Sequence, residues 1–181
     1  MDQVFLVIPP PLFKGGVEIS LLTTGSTRLI NQALAQSQIT TPEPKNFIID
    51  DKTYPSVIIT VAVAVKTLPR LGVIFTGAIG FNKDHPNNLA TRLPADTITS
   101  RQAAYTLMTH IAIKKALQLG IRRVVILSRS TLIKNIISSE PYTVDVDTQI
   151  LITKLVDLLT KCRDEKSLEI TSVFCGAKFY G

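Results

Sequence analysis

Tryptophan is absent from this chain, and phenylalanine and tyrosine together supply only 6% of its 181 residues. A folded core must therefore be built mainly from Val, Ile, Leu and Ala. Hydrophobic residues reach 45% and charged residues stay at 19%, which excludes a disordered tail and predicts a globular chain. The length suits one domain with some additional structure.

Cysteine is almost as scarce, since only Cys162 and Cys175 are present and their spacing is neither CxxC nor that of zinc ligands. This usage predicts free thiols in a reducing compartment. The longest apolar run, residues 57–65, has the length of a strand, whereas a membrane span needs about 20 residues. No N-terminal run has the flanks of a signal peptide, so we expect an intracellular protein without a membrane partner.

The charge balance is basic, with a formal net charge of +6 and a pI near 9.4. Such a balance favours anionic partners such as nucleic acid. The bases are scattered along the chain, however, and the only dense clusters are Lys114-Lys115 and Arg122-Arg123. Scattered Lys and Arg are typical of a solvated surface. We therefore favour this interpretation of the basic charge over nucleic-acid binding.

Patterning predicts two regions, an N-terminal extension over residues 1–46 and an α/β domain over residues 47–181. Cap residues, breakers and apolar periodicity place the elements. The extension has extended pieces at 4–8 and 17–22 and a helix from Ser26 or Thr27 to Gln36. The domain has strands at 57–65, 71–81 and 89–93, a helix from Thr99 or Ser100 to Leu119, a strand at 123–127, helices from Thr131 and from Asp145 or Asp147, and a strand at 167–174.

This order predicts an α/β fold with a mixed five-stranded sheet and helices on both faces. The first three strands are close enough in sequence to form an antiparallel meander. The last two strands are reached through helices, so we expect them to run parallel to the first strand.

Two stretches, Ile98–Tyr105 and Val124–Ser130, resemble the centre of a ribonuclease H domain. Further short segments occur in an order and at a spacing similar to those of the ribonuclease H region of LINE-type, or non-LTR, retrotransposon polyproteins. These segments are Ile8–Pro11, Tyr54-Pro55, Leu93-Pro94 and Leu119–Val125. The resemblance implies a ribonuclease H-like domain preceded by a connection-like extension. It also implies that the terminal helix of the family is missing, because the chain stops at Gly181.

Catalysis in that family needs about four carboxylates that hold two Mg²⁺ ions, which prefer hard oxygen ligands. The resemblance maps the first-strand Asp onto Val61 or Val63, the helix Glu onto Ala104, the second-strand Asp onto Arg129 and the loop His onto Ala177. It therefore implies a pseudoenzyme, a domesticated or decayed copy with no catalytic residue, no metal and no cofactor.

A shift of the alignment by one position does not restore these carboxylates, because no Asp or Glu lies in 57–65, 101–115 or 124–134. His110 has no carboxylate or cysteine nearby in sequence, and His85 lies in a turn next to Pro86. Ordinary packed histidines are therefore favoured over ligands or bases.

The first functional hypothesis is an interaction or scaffold module whose partner is another protein or a second copy of the chain. The face left by the missing helix would serve as the interface, with Leu155, Leu159 and Val173 as candidate residues. The resemblance to transposon proteins predicts a nuclear, transposon- or chromatin-related setting.

The alternative is binding of an RNA–DNA hybrid or RNA without cleavage and without sequence preference. Arg101, Arg129 and Lys134 are its candidate phosphate contacts.

Overall fold

The computed structural model describes residues 27–35, 42, 44–49, 52–70, 72–81 and 85–175, and for residues 45–49 and 52–55 it describes the backbone. The elements in chain order are α1 at 27–35, β1 Lys45–Ile49, β2 Lys52–Leu68, β3 Gly72–Gly80, β4 Leu89–Arg92, α2 Arg101–Gln118, β5 Arg123–Ser128, α3 Thr131–Ile137, α4 Val146–Glu165 and β6 Glu169–Phe174. The predicted pieces at 4–8 and 17–22 lie outside the described residues.

The main sheet has the strand order β4-β3-β2-β5-β6. Strand β3 pairs antiparallel with both β2 and β4, whereas β5 runs parallel to β2 and β6 parallel to β5. The register places Val61 opposite Ile79 and Thr60 opposite Leu127. The meander followed by two helical crossovers confirms the mixed five-stranded sheet that the sequence predicted.

Strand β2 has 17 residues and is longer than the apolar run at 57–65, because different parts of it pair with different strands. Its first part pairs with β1, its middle with β5, and residues 60–68 with β3. The sequence predicted a loop up to Asn46 and a strand only from Val57. Hydrophobicity marks the part of a strand that is covered, whereas the polar flanks such as Lys66-Thr67 are held by ladder hydrogen bonds.

Side-chain caps set the helix boundaries that the sequence indicated. Ser100 caps α2 by accepting a hydrogen bond from the Ala103 amide at 3.0 Å. Asp145 caps α4 through the Thr148 amide at 2.7 Å. After α2 the chain turns at Gly120, whose φ of 74° is easily reached only by glycine.

The core lies on one face of the sheet. Alternate residues of β2, among them Ile59 and Val61, pack in the same buried cluster as residues from all four described helices. Ile30 and Ala33 bring α1 into this cluster, so that part of the predicted extension packs on the domain. The boundary at residue 46 itself stays a prediction.

Every helix of the described ranges contributes residues to this cluster. The two helical crossovers, β4 to β5 and β5 to β6, step in the same direction across the sheet. Right-handed crossovers that step in one direction place their helices on one side of a sheet. The opposite face carries partly buried Ile58, Ala62, Leu127 and Val173.

Helix α2 approaches β3 most closely at Gly77. A Cβ atom added there would overlap Cγ and Sδ of Met108, a residue with no exposed surface. At Gly80, three residues further along the same strand, an added Cβ would meet no atom within 4 Å. The close packing of α2 on the sheet therefore requires glycine at position 77.

We predict that Gly77→Ala lowers the free energy of unfolding by about 1–3 kcal/mol relative to Gly80→Ala, because the methyl group overpacks a buried contact. Urea denaturation of the two variants and the parent chain measures the difference. A double-mutant cycle with Met108→Ala should show coupling between the two sites. Equal stability of the two alanine variants would contradict the close approach.

Candidate functional site

The positions that the resemblance assigns to the first two carboxylates are filled by core residues. Val61 in β2 and Ala104 in α2 are both fully buried and belong to the same apolar cluster. Val63, the alternative first-strand position, is partly buried against that cluster. None of these side chains has an atom that can ligate a metal ion or carry a proton in catalysis.

The turn after β5 is held by hydroxyl groups and the main chain. Oγ of Ser128 accepts from the Ser130 amide at 3.3 Å, and Oγ of Ser130 caps α3 through the Ile133 amide at 3.1 Å. The Cys175 amide donates to the Ser128 carbonyl at 2.7 Å. Arg129, the position to which the sequence resemblance assigns the second-strand carboxylate, lies between the two serines and is exposed.

Arg101 begins α2 and is exposed at the same end of the domain as Arg129. Helix α2 is the crossover that precedes β5, and β5 runs parallel to β2. The N-terminal end of α2 and the C-terminal end of β5 therefore lie at the same end of the sheet. A contact of 3.4 Å between the hydroxyls of Ser100 and Thr148 places the start of α4 there too. Lys134, one turn into α3, forms an ion pair with Glu140 at 3.7 Å.

In the described ranges, no three His, Cys, Asp or Glu side chains come together in a way that could hold a metal ion. Ala177, the position to which the sequence resemblance assigns a loop histidine, lies outside the described residues.

The environments of the two cysteines and of His85 are those of packed side chains and do not favour a catalytic role. Burial raises the pKa of the Cys162 thiol and so disfavours the nucleophilic thiolate. Cys175 is buried as well. Nδ1 of His85 accepts from the Asn87 amide at 3.1 Å, its ring lies 5.2 Å from that of Phe81, and burial lowers its pKa.

His110 has a strongly lowered pKa. It lies in α2 and is only 8% exposed. Burial first, and then the charges of Lys154 and Lys114, lower its pKa to about 4. The sequence shows that His110 and Lys114 are one helical turn apart, but the approach of Lys154 depends on how α4 packs on α2 and has no local signal.

A groove of about 1220 Å³ lies between α3, α4 and β6. Ile136, Val156, Leu159 and Ile170 are among its apolar lining residues. Three exposed bases also line it, namely Arg122, Arg163 and Lys166.

A fourth base at the groove, Arg123, is neutralised there by Glu169, to which its Nε donates at 2.6 Å. The groove therefore combines an apolar interior with a cationic rim. The groove could not be predicted from the sequence, because its lining residues are brought together only by the β5–β6 crossover.

The three candidate interface residues do not form one surface. Leu155 is fully buried in the core and cannot contact a partner while the chain is folded. Leu159 is partly buried and lines the groove. Val173 pairs with Leu127 across the β5–β6 ladder and lies on the opposite sheet face. The helical spacing of Leu155 and Leu159 did not show which of them faces the sheet.

No protein-family model matches the chain, and no curated protein sequence matches it. Solved structures that are similar include the N-terminal RNase H domain of Rv2228c from Mycobacterium tuberculosis, in a fusion with maltose-binding protein. It is 13% identical over 68% of this chain and 90% of that chain, with a TM-score of 0.40.

The foamy viral protease–reverse transcriptase in complex with dsDNA is 14% identical over 68% of this chain and 84% of that chain, with a TM-score of 0.47. At these values the two structures carry no information about activity, and the fold class is established by the strand order of the chain itself. None of the described helices is long and apolar enough to cross a membrane.

We predict that the chain loses stability as the pH falls from 6.5 to 4, because unfolding lets His110 take up a proton at its ordinary pKa. The contribution of His110 is fully present above pH 6.5 and decreases by up to about 1.4 kcal/mol per pH unit, or about 3 kcal/mol in total. Denaturant unfolding at several pH values measures the slope.

His110→Gln should flatten this pH dependence, whereas His85→Gln should retain most of it. The slope is the informative quantity, because either substitution can also change the stability at neutral pH. A slope between pH 6.5 and 4 that is the same in His110→Gln and in the parent chain would show that His110 is not the responsible group.

Proposed function

We propose that the chain is a non-catalytic ribonuclease H-like module that binds another protein. One observation carries the proposal: buried aliphatic side chains fill the centre of the domain, whereas an open groove lies on another part of its surface. Val61 and Ala104 occupy the centre without exposed surface, whereas the groove between α3, α4 and β6 is open and lined by partly buried apolar side chains. Binding rather than bond cleavage is what such an arrangement can perform.

The chemistry of the groove favours a partner segment that combines apolar and acidic residues. The apolar side chains of Val156 and Leu159 would receive its apolar residues, and Arg122 and Arg163 would attract its carboxylates. The net charge of +6 disfavours a second copy of the chain at this rim, so a different protein is the proposed occupant. The sequence resemblance to LINE-type proteins supports a nuclear, transposon- or chromatin-related setting.

Selection of displayed random peptides on the purified protein tests this proposal. We expect the enriched peptides to combine apolar residues with Asp or Glu. The double variant Arg122→Glu, Arg163→Glu should weaken their binding by at least about tenfold, because it reverses two rim charges that are exposed and outside the core. Lys66→Glu, an exposed charge reversal on β2 away from the groove, should leave it unchanged.

Light scattering of the same samples reports self-association. Two outcomes would contradict the proposal: peptides that bind the double variant as tightly as the parent chain, and a selection that yields no specific peptide from a monomeric protein. A dimer that dissociates in the double variant would instead assign the groove to a second copy.

A second candidate is binding of nucleic acid without cleavage, and it is favoured by the position of Arg101 and Arg129 at one end of the sheet. Lys134 pairs with Glu140 at 3.7 Å, as Arg163 at the groove does with Asp164. Binding of an RNA–DNA hybrid that weakens steeply with salt, and that is lost in the double variant Arg101→Gln, Arg129→Gln, would support this candidate.

A further inference from the structure

Strand β6 is one edge of the main sheet. Its six residues pair with β5 in an unbroken parallel register, from Arg123 opposite Glu169 to Ser128 opposite Phe174. In the part of the chain that the structure describes, no strand pairs with the other side of β6. The described sheet therefore ends on a regular edge without a bulge.

The hydrogen bonds toward β5 show which backbone groups of β6 point outward. The amides of Glu169 and Cys175 donate to main-chain carbonyls on the β5 side at 2.9 and 2.7 Å. In a parallel ladder every second residue directs both its N–H and its C=O to the same neighbour. The N–H and C=O groups of Ile170, Ser172 and Phe174 therefore point away from β5, and no described residue bonds to them.

This edge lacks the features that usually keep other strands away. Native proteins block exposed edges with short strands, charged side chains, prolines or bulges. The opposite edge of the sheet is blocked in this way, because β4 has only four residues and carries exposed Arg92. Residues 170–174 of β6 include no proline and no charged residue. Strand β6 is therefore the edge that is suited to pairing.

The groove between α3, α4 and β6 lies along this edge, since Ile170 and Thr171 are among its lining residues. Ile170 packs against the core cluster, on the sheet face that the helices cover. A strand placed beside β6 would direct every second side chain to that same face. There Ile137 and Leu159 line the groove with partly buried apolar side chains.

Exposed bases lie at the end of the groove where β6 begins. Lys166 is three residues before Glu169, and Arg122 directly precedes β5, the strand whose first residue pairs with Glu169. Both bases line the groove. The carboxylate of Glu169 is held by Arg123, whose Nε donates to it at 2.6 Å. A segment beside β6 is therefore favoured if it is apolar along its length and acidic at this end.

We propose that β6 binds an extended segment of a partner protein as an additional strand of the sheet. The backbone of the segment would pair with the outward groups of Ile170, Ser172 and Phe174, while alternate apolar side chains enter the groove. An acidic residue would lie near Lys166 and Arg122. This mode of binding rests on the proposed protein-binding function and specifies how the partner is held.

Backbone N-methylation of the tightest-binding peptide from the display selection tests this mode of binding. A methyl group removes one N–H donor, and only every second residue of an added strand directs its N–H to β6. We expect methylation to weaken binding by at least about tenfold at alternate positions and by less than about twofold at the positions between them. A peptide held as a helix or by its side chains alone would not show this period of two.

A substitution in β6 tests the same contact from the side of the chain. Ser172→Pro removes an outward N–H and leaves the inward hydrogen bonds of Thr171 and Val173 in place. It should bind the peptide at least about tenfold more weakly than Ser172→Ala, which retains the amide. Circular dichroism checks that both variants are folded.

Hydrogen exchange of the parent chain requires no substitution. Saturating peptide should slow the exchange of the amides of Ile170, Ser172 and Phe174 by at least about tenfold, because they gain a partner. The amides of Thr171 and Val173 already face β5 and should change little.

Strand addition is excluded, and groove binding is retained, if peptides that need Arg122 and Arg163 show no period of two and bind Ser172→Pro as tightly as Ser172→Ala. Slow exchange of the outward amides without peptide would also overturn the inference. It would assign the edge to a second copy if it depends on protein concentration, and to another segment of this chain if it does not. A selection without any peptide that needs Arg122 and Arg163 would overturn both proposals.

Discussion

Burial of α2 on all sides is the constraint on which the rest of this structure depends. Every residue from Ala103 to Ile113 is buried, so the helix is enclosed by the sheet on one side and by other helices around it. Its approach to β3 is close enough that only glycine fits at position 77. No Asp or Glu lies among these enclosed residues.

This enclosure separates the core from the surfaces that can bind. Val61 and Ala104, the positions to which the sequence resemblance assigns carboxylates, belong to the apolar core. Charged residues lie at the rim of the groove, whereas His110 and Lys115 are buried in α2. Burial lowers the pKa of both groups.

Local chemistry was readable from the sequence. The predicted start of α2 was Thr99 or Ser100 and that of α4 was Asp145 or Asp147, and the caps are Ser100 and Asp145. The helix end before Gly120 and the strand at 57–65 were also predicted. These signals depend on neighbours within a few residues. The strand order followed from the lengths of the connections, because a meander needs short turns and parallel strands need crossovers.

Features that depend on contacts between distant parts of the chain could not be predicted from local sequence patterns. The pairing of β1 with the start of β2 uses backbone hydrogen bonds of polar residues. The burial of Leu155 against the partial exposure of Leu159 depends on how α4 sits on its neighbours. The contact between Lys154 and Thr27 joins residues that are far apart in sequence.

The most direct test of the central claim is a cleavage assay with an RNA–DNA hybrid in the presence of Mg²⁺. The purified chain should leave the hybrid intact at every magnesium concentration, because Val61, Ala104 and Arg129 cannot hold the ion. Cleavage that persists in Arg129→Ala and stops when the metal is chelated would contradict the account.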